Sequence, residues 1–239
     1  MTVPTPLPER RSAGQLRDRL ITLAATPDDD STIATDLIVI AQLAADRLGA
    51  VSFASVTSSA ADGKVTVAAS SDLAVAVDQA QYVDDAGPCL EALAGGRPVT
   101  VPDIAATMVW PGFREVAAGL GLRASLSLPL FAAQGDPVAA LNLYSRDPAR
   151  MRSLSAAVQA VYEGGVSGGA ELEAGDDELI AGLTGAFVIR ASIQQAVGVV
   201  MAITGTNPNE AYISLLAHAA EVGVTLTEMA GRLTSVHRW

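Results

Sequence analysis

Between Leu179 and Ile203 the chain carries two adjacent apolar stripes at helical spacing, and nothing else in it restricts the fold as much. Leu179, Leu183, Ala186, Arg190, Ile193, Val197 and Val200 step 4-3-4-3-4-3, a coiled-coil spacing in which Arg190 is the one charged member. Gly182, Ala186, Ile189, Ile193, Ala196, Val200 and Ile203 form a second stripe beside it. A helix with two apolar stripes needs two partners. One is its own bundle; the economical second is the same helix of another copy. The spacing therefore predicts a homodimer whose seam is Leu179, Leu183, Ala186, Ile193, Val197 and Val200.

Two further helices follow. Asn207-Pro208-Asn209-Glu210 is a capping box, with proline at the first helical position and Asn207 and Glu210 spaced to satisfy each other's backbone N–H. Ala211, Tyr212, Leu215, Leu216 and Ala219 give that helix an apolar face, and Gly223 ends it. Thr225-Leu226-Thr227-Glu228 repeats the spacing and opens a third helix through Met229, Ala230 and Leu233. Residues 177–239 are expected to form an all-α three-helix module.

The sequence before it is of another kind. Residues 1–29, with Pro4, Pro6 and Pro8, read as a flexible N-terminal segment holding a short helix near Leu16–Leu23. Asp30-Ser31 offers N-cap oxygens to a helix carrying Ile33, Leu37, Ile40, Ala44 and Leu48. Val51–Thr57 and Val65–Ser70 flank Asp62-Gly63 and read as a hairpin; Leu126–Phe131 and Val138–Tyr144 read as a second. Helices are expected over Leu73–Gln79 and from Pro88 to Gly95-Gly96, with a short strand at Val99–Val101. Strands joined by tight turns and interspersed with helices predict an α+β domain over 30–163, its antiparallel sheet flanked by helices. Residues 164–176, rich in glycine from Gly164 to Gly169, read as a linker.

Charge and missing motifs exclude several functions. Net charge is −11 and Lys64 is the only lysine, so binding to DNA is not expected. No uninterrupted apolar run reaches the roughly 18–20 residues of a membrane span, and no secretory signal pattern opens the chain, so a cytoplasmic protein is expected. Cys89 is the single cysteine, which removes disulfides and cysteine-rich metal sites. Both histidines, His218 and His237, lie in the helical module, and no phosphate-binding loop, dinucleotide fingerprint or zinc-protease motif is present. The expectation is a non-enzyme without metal or cofactor.

Several short segments resemble known families. Asp84-Asp85-Ala86-Gly87-Pro88-Cys89-Leu90-Glu91-Ala92-Leu93, Trp110-Pro111-Gly112-Phe113, Leu128-Pro129-Leu130 and Ala140-Leu141-Asn142-Leu143-Tyr144 resemble actinobacterial GAF domains in order and kind. Arg190 to Met201, with Glu210-Ala211-Tyr212 and Leu215-Leu216, resembles the ANTAR module. The resemblance implies a GAF sensor followed by three ANTAR helices, generally dimeric, which bind paired RNA hairpins in nascent transcripts and prevent termination. This chain departs from that pattern: Val197 stands where the family usually has lysine, and Val222–Glu228 lacks the basic stretch often found there. From Leu179 onward three arginines face three glutamates. A degenerate relative that only dimerises or binds a protein partner is the alternative.

The candidate RNA-binding residues are Arg190, Gln194, Arg232 and Arg238. Arg190 also suits the edge of a seam, its stem packed and its head in water. For a small ligand in the sensor domain the candidates are Cys89, Trp110 and Phe113. Cys89 is either a thiol activated at a helix N-terminus or a small buried hydrophobe.

Overall fold

The structure, a computed structural model, describes residues 14–60, 63–165 and 172–236. Helix α1 (Gln15–Ala25) and helix α2 (Ile33–Arg47) come first. Strands β1 (Phe53–Ala60) and β2 (Gly63–Ala69) form the expected hairpin; of its predicted turn, Asp62 lies outside the described residues. Then come α3 (Asp72–Val83), α4 (Pro88–Gly95), β3 (Val99–Val101), α5 (Pro111–Gly119), β4 (Ala124–Leu130), β5 (Ala139–Ser145) and α6 (Pro148–Tyr162). The chain ends in α7 (Ala174–Thr204), α8 (Pro208–Val222) and α9 (Leu226–Val236).

All strand pairs are antiparallel, in the order β2-β1-β5-β4-β3. The central strand β5 and its neighbour β4 are buried along their whole length, so the sheet is covered on both faces. On one face Ala54, Val56, Leu126, Leu128, Leu141 and Leu143 pack against α1, α2, α6 and the first half of α7. On the other lie α3, α4 and α5. The expected α+β domain followed by a helical region is what forms.

Local chemistry sets most boundaries. Both capping boxes form: Glu210 N–H donates to Asn207 Oδ1 at 3.0 Å, and Glu228 N–H to Thr225 Oγ1 at 3.1 Å. A third, between Glu173 and Asp176, opens α7. Asp30 does not cap α2; its carboxylate accepts from Thr32 N–H at 2.8 Å, and Thr32 is the N-cap. α6 starts at Pro148 because Asp147 accepts the N–H groups of Ala149 and Arg150. α5 has no counterpart in the sequence reading; Pro111 supplies its first helical position.

The largest correction concerns the seam. Leu179 and Leu183 lie in the sensor domain's aliphatic core, while Ile193 and Val197 lie in a separate core with α8 and α9; Ala186 and Val200 are half-buried. The first stripe is thus satisfied within one chain. The partner the sequence concealed is α1, which runs along the first half of α7. At Gly182 the two backbones are so close that an added Cβ would stand 3.0 Å from Arg17 Cα and 2.7 Å from Leu20 Cδ1. Residues 1–13 lie outside the described residues, but α1 is part of the core. α7 is also long and apolar enough to cross a membrane by length and composition, with mean hydropathy 1.6 over its apolar window. Its buried positions nevertheless serve two protein cores. Ala181, Thr184, Val188, Ala191, Gln195, Gly198 and Ala202 remain exposed along it, none of them charged.

Candidate functional site

Alternation along a strand puts every second side chain on one face. Opposite the leucines, the sheet presents Ser55 and Thr57 on β1, Thr66 on β2, Ser125 and Ser127 on β4, and Asn142 and Tyr144 on β5. Such a polar face ordinarily meets water. Here α3, α4 and α5 cover it, and Ser55, Thr57, Ser125, Ser127, Asn142 and Tyr144 are fully buried.

α3 adds the charged group. Asp78 is fully buried over the middle of this face. Its carboxylate accepts from Tyr144 OH at 2.6 Å, Thr66 Oγ1 at 2.9 Å and Asn142 Nδ2 at 3.3 Å. Burial pushes its pKa up to about 6, against the opposing pull of these hydrogen bonds. Tyr82 OH lies 2.8 Å from both Thr57 Oγ1 and Thr66 Oγ1, and Gln81 Nε2 donates to Tyr144 OH at 3.3 Å. Ser125 Oγ, Ser127 Oγ and Asn142 Oδ1 are buried without a hydrogen-bond partner among the described residues. A buried polar atom left unpaired costs about 1–3 kcal/mol. The layer thus keeps polar atoms that the protein itself does not pair.

The three sequence-derived ligand candidates do not share one cavity. Cys89 is buried with Leu93 and Ala140 against the sheet, and its N–H donates to Gln81 Oε1 at 2.9 Å. Burial pushes its thiol up to about 12, which removes the activated-thiolate reading. Phe113 is core, packed with Val77, Ile104 and Tyr144. Trp110 meets Phe113 edge-on, ring centroids 6.3 Å apart, and lines an open cleft of about 560 Å³ with Lys64, Asp85, Glu91 and Asp136. Leu90 and Leu93 of α4 also line it, so α4 separates the cleft from the buried polar face. Sequence reasoning missed Asp78, Ser125 and Ser127 and gave Asn142 and Tyr144 no role. The Ser-Leu-Ser-Leu alternation over 125–128 was the available signal.

The RNA candidates are also dispersed. Arg190 is 8% exposed: it donates to the carbonyls of Ala132 and Gly135 and lies over the Phe131 ring. In this arrangement it does not face solvent, because the sensor domain occupies its guanidinium. Gln194 and Arg232 are exposed, whereas Arg238 lies outside the described residues.

A five-stranded antiparallel sheet with helices on both faces and a buried polar layer on one of them defines an α+β domain. The family model described as GAF domain matches residues 34–159, more than half of the chain, and the chain belongs to the GAF family. Among solved structures, a domain from Sinorhizobium meliloti 1021, described as from a two-component sensor histidine kinase, is similar over 68% of this chain and 93% of its own, at 15% identity and TM-score 0.42. The GAF domain region of a protein from Geobacter sulfurreducens PCA, described as a membrane protein, is similar over 73% and 99%, at 14% identity and TM-score 0.39. A search of curated proteins finds no match.

Proposed function

We propose that this chain is a cytoplasmic, signal-responsive regulator of transcription antitermination, a homodimer whose GAF domain controls the engagement of an RNA hairpin by the C-terminal helices. The observation that carries the reading is α7. One uninterrupted helix contributes Leu179 and Leu183 to the sensor core and Ile193, Ala196 and Val197 to the core of the output module. A rearrangement under the sheet is thereby levered into α8 and α9. The resemblance of residues 190–201 to ANTAR supplies the RNA hairpin as target. A small polar ligand at the face of Asp78, Ser125, Ser127 and Asn142 suits the signal, and the role is regulatory rather than catalytic. Pairing of two chains is assigned to the exposed, uncharged face of α7, since the heptad positions are filled within the protomer.

The test is titration of a labelled tandem-hairpin RNA with the full chain at several salt concentrations. Micromolar or tighter binding is expected. With Arg232 and Arg238 of two chains on phosphates, log K should fall with log salt at a slope of about −3. Undetectable binding at low salt overturns the RNA reading. A second reading, an output module that only dimerises or binds a protein, is favoured by the uncharged face through Val188, Ala191, Gln195, Gly198 and Ala202. Sedimentation as a stable dimer with no RNA affinity would select it.

A further inference from the structure

The connection between β4 and β5, residues 131–138, is more than a hairpin loop. Ala133 inserts into the α7–α9 core and is fully buried there. Its N–H donates to Thr26 O at 2.9 Å, and Gln134 N–H donates to Asp28 Oδ1 at 2.8 Å, which fastens the segment to the residues after α1. From α7, Arg190 closes over it: one guanidinium nitrogen donates to Ala132 O, another to Gly135 O at 3.0 Å, and Cζ stands 4.5 Å from the Phe131 ring centroid. The Asp28 carboxylate adds attraction through space. Gly135 takes φ 81°, a backbone angle most residues avoid.

We propose that Arg190 is an autoinhibitory latch, holding the C-terminal helices closed on the sensor domain, and that the 131–135 segment is the part of the sensor that releases it. Two features distinguish a latch from ordinary core. The arginine's partners are backbone carbonyls and a ring face rather than a carboxylate, so on opening the guanidinium and the carbonyls can each bond water instead. Beside it lies a partly open gap of about 20 Å³, room for about one water molecule, bounded by Leu20, Phe131, Tyr162, Leu183 and Phe187. The strands entering and leaving the segment are β4 and β5, which carry Ser127 and Asn142 at their middles and Ser125 and Tyr144 near their far ends. A ligand that bonds those groups pulls on the two strands that present Ala132 and Gly135. The inference rests on the reading of α7–α9 as the output module, but its test needs no RNA.

Hydrogen exchange of the full chain, read by mass spectrometry, would be compared for the native sequence, Arg190→Ala, Arg190→Lys and Asp28→Ala. A latch predicts about tenfold faster exchange in 131–138 and in α8 for Arg190→Ala, with β1 and β5 unchanged. Lysine keeps the charge but not the two-pronged donor, so Arg190→Lys should fall between. Asp28→Ala should open the same two regions, and adding it to Arg190→Ala should change little. Uniform acceleration across the chain, or an effect confined to 131–138 while α8 stays protected, overturns the latch. RNA affinity is a separate measurement, so loss of one reading leaves the other standing.

Discussion

The two faces of the sheet are built from the same strands and differ in almost everything else. Leu126, Leu128, Leu141 and Leu143 look into an aliphatic core, where every contact adds burial. One residue away in each case, Ser125, Ser127, Asn142 and Tyr144 look into a buried polar layer in which an ionisable Asp78 and several unpaired oxygens are retained. The first face makes the domain stable. The second gives up some of that stability to keep polar atoms that the protein does not pair internally.

Substitutions can break this contrast. Leu128→Ala, on the aliphatic face, should lose about 3 kcal/mol through lost burial and an unfilled cavity, read by denaturant unfolding; a loss near zero would mean the face is not a core. Asp78 comes next and acts through pH. Its folded pKa is raised from 3.8 to about 6, so the folded chain holds the proton more tightly than the unfolded one. The stability from that proton is full below about pH 4, falls as pH rises, and is gone above about pH 6, a decline of about 3 kcal/mol at most. Unfolding measured from pH 4 to 7 should show that decline, and Asp78→Asn should flatten it; an unchanged slope in the variant would remove Asp78 as the cause. Ser127→Ala should have the smallest effect and the opposite sign to its neighbour Leu128, a gain of about 1 kcal/mol from deleting an unpaired hydroxyl. A comparable loss would mean that Ser127 is bonded in solution.

The sensor domain's elements were largely legible. The hairpins, the helix at Pro88, the strand at Val99–Val101 and both C-terminal capping boxes depend on residues within a few positions of each other, and such signals survive folding unchanged. The buried polar layer was not legible, because Ser125, Ser127 and Asn142 have the alternation of a strand with one face in solvent. Only the placement of α3 and α4 across them makes them buried. Trp110, Phe113 and Cys89 stood out as rare residue types, and rarity says nothing about which side of α4 a side chain meets. Arg190 stood out correctly as the anomalous member of the stripe, yet its partners are carbonyls of Ala132 and Gly135, far from it in sequence.

The sequence by itself determined that a GAF-like α+β domain precedes three helices, that the long helix has more apolar surface than one bundle needs, and that the chain carries a net negative charge. Tertiary structure alone decided what covers that surface. Periodicity reports that a stripe is apolar but carries no information about its partner, and α1, more than a hundred and fifty residues earlier in the chain, took the place assigned to a second molecule. The close approach at Gly182 needs a backbone rather than a side chain opposite it, and no local pattern encodes which backbone arrives there.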